Sequence, residues 1–141
     1  MKNHIDIQIT VPNQTRYLGL IGRIGENMAR ELEDFPGDRE TLGHNINVVL
    51  TEALVNAIKH ANTSSPDNEV QIRINVRDGE LVIRVYDNGQ GFDLDLVPGN
   101  GCPDPLNEKG RGIYIIRSLM DSVEYKKADG CNVLEMKKAL G

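Results

Sequence analysis

Leu81-Val-Ile-Arg-Val-Tyr-Asp87-Asn-Gly-Gln-Gly-Phe92 is the stretch from which the organisation of the chain unfolds. Leu81, Ile83 and Val85 recur at every second position, the period of a strand with one buried face. A carboxylate, Asp87, stands where that strand ends, and Gly89 and Gly91 follow at one-residue spacing. Such a turn lets backbone approach a ligand closely, with the acid placed to accept a hydrogen bond. From these residues alone, a plain β-turn built on Asp and Asn side-chain chemistry reads equally well.

Upstream, Val70, Ile72, Ile74 and Val76 form one face of a partner strand, and Asp78-Gly79 makes a two-residue hairpin turn into a return strand from about Glu80 to Tyr86. Further back, Ile5, Ile7, Ile9 and Val11 alternate as a first strand ended by Pro12. Tyr17, Ile21, Ile24, Met28, Leu32 and Phe35 recur at helical spacing, and Pro36-Gly37 is expected to stop that helix. Asp38 is a natural N-cap for a second helix, whose apolar stripe is Ile46, Leu50, Ala53, Ala57 and Ala61. A polar loop, Asn62 to Asn68, leads into the hairpin.

Downstream, Asp93 to Lys109 carries Pro98, Pro103 and Pro105 with Gly99 and Gly101. A loop of that length in a compact domain is usually functional or disordered. A third helix begins near Gly110 and buries Ile113, Ile116, Leu119, Met120 and Val123. Two last strands, about Ser122–Lys127 and Asn132–Lys138, flank a turn at Asp129-Gly130. This order predicts an α+β fold, a two-layer sandwich of a mixed, mostly antiparallel sheet covered on one face by three helices.

The bulk properties narrow the function classes. The 141 residues suit one domain, which at this size buries roughly 68–70% of its unfolded surface. A net charge of −5 does not favour nucleic acid or an anionic membrane. The longest apolar run, Ile46 to Leu50 with polar breaks, falls far short of the roughly 20 residues needed to span a bilayer. The N-terminus, Met1 to Asp6, lacks the apolar stretch of a signal peptide. Cys102 and Cys131 are not in CxxC spacing and read as free thiols of a reducing compartment, which points to the cytoplasm.

Two more motifs flank the opening stretch. Glu52, Asn56 and His60 stand four residues apart on the second helix, so they form one row beside the apolar stripe. Asn56 offers a neutral oxygen to a hard cation such as Mg²⁺. Glu52, one turn earlier, could accept a proton from a nucleophile near that cation. A solvated helix face is the bland alternative, and His60 reads more simply as structural than as a ligand. At the start of the third helix stands Gly110-Arg111-Gly112, preceded by Lys109. Free N–H groups at a helix N-terminus bind phosphate and the two cations add charge, although a glycine hinge beside a solvated basic pair would look the same. No GxxxxGK[ST] sequence is present, and no GxGxxG turn follows the first strand, so any phosphate site follows a different logic.

In this order the three motifs resemble the GHKL superfamily of Bergerat-fold ATPases. Glu52-Ala-Leu-Val-Asn56-Ala-Ile-Lys-His60-Ala61 resembles its N box, Asp87 to Phe92 its first glycine box, and Lys109-Gly-Arg-Gly-Ile113 the second. The segment between the glycine boxes matches the ATP lid in place and composition. The likeness runs from about Asn45 to Lys138. Within the superfamily the chain most resembles the bacterial anti-sigma-factor serine/threonine kinases. Its length is that of one ATPase domain over 1–141, without an upstream phosphoacceptor helix pair. Glu52 occupies the place of the catalytic carboxylate, and Arg111-Gly-Ile-Tyr-Ile-Ile-Arg-Ser-Leu-Met-Asp121 looks like the helix after the lid.

The resemblance implies that Asn56 holds Mg²⁺ against the phosphates of ATP. It implies that Asp87 receives the adenine amine, that Gly89 and Gly91 shape the purine pocket, and that Lys109, Gly110, Arg111 and Gly112 contact the phosphates. Glu52 would activate a serine hydroxyl on a partner protein. The implied partners are a sigma factor held inactive and an anti-anti-sigma antagonist protein that is phosphorylated, with the chain acting as a homodimer. Many relatives carry a Thr on the last strand that helps hold adenine through water; Leu134 aligns there, give or take one or two residues. Two other readings fit the same motifs: a regulatory module that binds ATP without catalysis, and a stand-alone histidine-kinase-type catalytic domain.

Overall fold

The computed structural model describes residues 4–33, 35–60, 69–87, 111–128 and 131–141, with the side chains of 59, 60, 111, 127, 128 and 131 excepted. Strand β1 (Ile5–Pro12) leads through a 3-10 turn (Thr15–Tyr17) into α1 (Leu18–Arg30) and α2 (Arg39–His60). Then come β2 (Glu69–Arg77), β3 (Glu80–Asp87), α3 (Arg111–Leu119), β4 (Ser122–Ala128) and β5 (Cys131–Ala139). The sheet order is β1-β2-β3-β5-β4. Every neighbouring pair is antiparallel, so the mostly antiparallel sheet contains no parallel pair among the described residues.

The alternating residues face the helices as their period requires. Val70, Ile72, Ile74 and Val76 of β2, Leu81, Ile83 and Val85 of β3, and Leu134 and Met136 of β5 are all buried. They meet Ile21, Met28 and Ala29 of α1, the α2 stripe of Ile46, Leu50, Ala53 and Ala57, and Ile113 and Ile116 of α3 in one core. Each fully buried Leu or Ile contributes roughly 1.5–3 kcal/mol relative to exposure, so this face holds the two layers together. Leu42, Val49 and Leu54 are also buried on α2. The second helix is thus the central one, packed against α1, α3, β2 and β3. The β2–β3 hairpin turns through Asp78 (φ 54°) and Gly79 (φ 76°), the left-handed pair of a type I′ turn.

The other sheet face is polar and cross-linked by charge. Arg73 donates to Asp6 through both Nε and Nη2, at 3.1 and 3.0 Å. Arg84 Nε reaches Glu135 Oε2 at 2.7 Å, and Lys126 and Lys137 approach the same carboxylate at 3.7 Å. Glu135 is buried beneath these side chains.

Two expectations about the helices need correction. The first helix ends at Arg30, before Leu32 and Phe35 and well before Pro36. Its last turn tightens, with Glu31 N–H bonding to Met28 O and Leu32 N–H to Ala29 O. Arg39, from the start of α2, donates to Leu32 O at 3.0 Å and Arg30 O at 3.4 Å, so a side chain from the next element satisfies carbonyls the helix would otherwise leave open. Leu32 is still buried, in the core it was expected to join. Val123, assigned to the third helix's buried stripe, lies in β4 opposite Met136.

Asp38 caps α2 as its sequence suggests, accepting from the backbone N–H of Glu40 at 3.0 Å and from Thr41 Oγ1 at 2.9 Å. The Thr41 and Glu40 bonds hold its carboxyl below the ordinary aspartate range. Where α1 crosses α2, glycine replaces side chain. A Cβ on Gly25 would collide with Leu50 and stand 2.8 Å from Ile46 Cγ2.

Candidate functional site

Glu52 and Asn56 lie one turn apart on α2, both half-buried, while Ala53 and Ala57 beside them are buried in the core. The row therefore runs along the border of the core, as its spacing predicts. His60 ends α2, and its side chain lies outside the described residues. Asn56 Nδ2 is buried with no hydrogen-bond partner among the described residues. A buried, unsatisfied amide costs free energy, and a rotation about χ2 exchanges this donor for an acceptor oxygen. Either orientation leaves a polar atom suited to a ligand.

Against this row stands the first turn of α3. A Cβ on Gly112 would lie 2.7 Å from Glu52 Oε2, and the next nearest atoms among the described residues are Glu52 Cβ and Cδ at 3.7 Å. The fold thus brings together the N-box carboxylate and the last glycine of the second glycine box. Arg111 opens α3, with only its backbone described; Lys109 and Gly110 lie outside the described residues.

Asp87 is the last residue of β3 and continues the inward row of Leu81, Ile83 and Val85. It is 4% exposed, and it accepts a hydrogen bond at 3.1 Å from Nδ2 of the equally buried Asn132. The two residues face each other across the β3–β5 ladder. Gly89 and Gly91 lie outside the described residues, so of the first glycine box only Asp87 is placed.

Asn132 is the residue that sequence reasoning missed. Leu134 is a core side chain opposite Val85, two residues deeper into the sheet. The residue beside Asp87 on the last strand is Asn132, within the stated tolerance of the alignment. Its signal was a polar residue at the start of a strand after Asp129-Gly130, but only the β3–β5 register says which inward position meets Asp87.

These residues fit a magnesium–nucleotide ligand. Mg²⁺ keeps much of its shell from water and phosphate oxygens and takes only one or two protein ligands. The donor set on α2 is one amide and one carboxylate, and no group of three His, Cys, Asp or Glu that could cage a metal occurs among the described residues. The amide nitrogen of Asn56, unpartnered among the described residues, and the side-chain-free position of Gly112 beside Glu52 are the places such a ligand would meet.

The α+β sandwich, with Glu52 and Asn56 on its central helix and the buried Asp87 at a strand end, carries features on which the resemblance to the GHKL ATPases rests. Residues 11–138 match the family described as Histidine kinase-like ATPase domain, and this chain belongs to that family. Among its relatives, the serine-protein kinase RsbW of Bacillus subtilis (strain 168) is 32% identical over 94% of this chain and 86% of its own length. The serine-protein kinase RsbW of Listeria innocua is 27% identical over 95% and 87%. The solved catalytic domain of the histidine kinase ThkA, in a nucleotide-free form, shares the fold with a TM-score of 0.57 at 15% identity, over 95% of this chain and 97% of that one. No helix among the described residues is long and apolar enough to cross a membrane.

Proposed function

We propose that this chain is an ATP-dependent protein serine kinase that is also an anti-sigma factor. The observation that carries the reading is the placement of Glu52, one turn before Asn56 and against the first turn of α3 at Gly112. Likeness to proteins named serine-protein kinase over most of the chain supports it. ATP with Mg²⁺ supplies the phosphoryl group and charge neutralisation when bound. Asn56 holds the cation, Asp87 accepts the adenine amine with Asn132 beside it, and Lys109, Gly110, Arg111 and Gly112 receive the phosphates. Glu52 takes the proton of a serine hydroxyl on the antagonist as the serine oxygen bonds to phosphorus; the bond to the β-phosphate oxygen breaks and ADP leaves. Such transfer is mostly positioning and charge stabilisation, so this small set of groups suffices.

By the same likeness, residues 1–141 form one domain with Gly89 and Gly91 in the purine pocket and an ATP lid at 93–109. The chain works in the cytoplasm as a homodimer and controls transcription through a bound sigma factor. The acidic balance of −5 agrees with protein partners rather than direct nucleic-acid contact.

The test is incubation with γ-labelled ATP and candidate antagonist proteins, followed by mapping of the label. Acid-stable label on an antagonist serine, lost in Glu52→Ala by roughly 10²–10⁴-fold while ATP still binds, is the expected result. Acid-labile label would place the product on histidine, and ATP binding without transfer would make the domain a regulatory binder.

A further inference from the structure

We infer that Gly112 is a positioning residue for Glu52: its missing side chain sets where the Glu52 carboxylate stands, and so governs the rate of phosphoryl transfer more than the affinity for nucleotide. The inference rests on the reading of Glu52 as the proton acceptor.

Glycine at 112 is not a backbone requirement. Among the described residues the positive-φ glycines are Gly79 and Gly141, and Gly112 lies within α3, where any residue could serve. Glycine is a poor helix former, so the position gives up helix propensity. The close approach of phosphate does not explain it fully either, because alanine would keep the same backbone N–H. What glycine supplies is room. Among the described residues, the three nearest atoms to a Cβ at this position all belong to Glu52, and the shortest approach is 2.7 Å to Oε2. Real Cβ atoms essentially never come under 3.0 Å, whereas the 3.7 Å approaches to Glu52 Cβ and Cδ are ordinary contacts. Among the described residues, a methyl group here would therefore move the tip of the Glu52 carboxylate. Since α2 and α3 pack against each other, the helices hold the two residues in fixed relation. A displacement of ångström scale at a reacting group costs up to about 10²-fold in rate.

The test uses Gly112→Ala, Glu52→Asp and their combination in the full chain. It reads the ATP dissociation constant by calorimetry, the rate of transfer to the labelled antagonist and of ATP hydrolysis alone, and the crystal structure of Gly112→Ala. Expected is a transfer rate that falls by roughly 10–100-fold more than the ATP affinity does. The crystal structure should show Glu52 Oε2 moved out to an ordinary contact of 3.4 Å or more. Glu52→Asp, shorter by one methylene, should cost less in the Gly112→Ala background than alone, the non-additivity of a direct contact. If Gly112→Ala does not fold, recovery of folding in the double variant shows the same steric coupling, and no recovery overturns it. An unmoved carboxylate, or affinity and rate falling by the same factor, would falsify the positioning role. Unchanged transfer in Glu52→Gln would instead sink the proton-acceptor reading, which separates the two failures.

Discussion

Asn132 Nδ2 donates to Asp87 Oδ1 at 3.1 Å inside the protein, across the register pair that joins the end of β3 to the start of β5. The amide donates to one carboxyl oxygen of Asp87, and a carboxyl oxygen presents an acceptor to whatever meets it. An acceptor suits the exocyclic amine of adenine and not the carbonyl oxygen of guanine or hypoxanthine. Asp87→Ala should weaken ATP binding by about 1–3 kcal/mol and erase preference for ATP over ITP. Asn132→Leu should lose part of both, because Asp87 loses a buried donor. Calorimetric titration with the two nucleotides checks this; equal affinities in the parent protein would move the base-recognition site elsewhere.

Asn56 gives a prediction that separates metal from phosphate contacts. Its amide nitrogen is buried and unpartnered among the described residues, so truncation removes a group open to a ligand. Asn56→Ala should lower ATP affinity by about 1–3 kcal/mol with Mg²⁺ present and leave the weaker, metal-free affinity unchanged. The same loss measured in EDTA would show that the amide bonds the phosphates directly.

At the α1–α2 crossing the sign of a substitution is opposite to the helix-propensity rule. Gly→Ala inside a helix usually gains roughly 0.5–1 kcal/mol. On Gly25 the added methyl meets Leu50 and Ile46, both fully buried. Gly25→Ala should destabilise the fold by roughly 1–3 kcal/mol, seen as a lower urea midpoint at unchanged slope.

Glu135 sets an acid limit on stability. Burial opposes its ionisation, but Arg84 at 2.7 Å, with Lys126 and Lys137, more than offsets this and holds its pKa below the ordinary 4.5. A depressed folded pKa contributes stability that is complete above the unfolded value and is lost as pH falls through the folded one. Glu135→Gln should therefore lower stability at neutral pH and flatten the decline below about pH 4.5. Urea unfolding of both proteins across pH 3 to 7 (roughly the span of carboxylate titration) reads the difference, and parallel curves would remove Glu135 from the acid response.

Much of the layout was legible in the chain because its signals are local. Period-two runs became β2 and β3, Asp78-Gly79 became their turn, and Asp38 became the α2 cap, each within a few residues of the cue. The Glu52–Asn56 row was legible for the same reason, since four residues make one helical turn. The end of α1 was not, because Arg39 closes it from the following helix.

By itself, then, the sequence determined most of the strands and helices, which of their faces turn inward, and that Glu52 and Asn56 share one helix row. Those follow from backbone periodicity and from side chains acting on their own neighbourhood. Tertiary structure alone decided that Asn132 meets Asp87, that Glu52 stands over Gly112, and that Glu135 is buried against Arg84 on the outer face. Each of these is a contact between elements distant in the chain. Strand register and helix packing create such contacts, and no local pattern encodes either one.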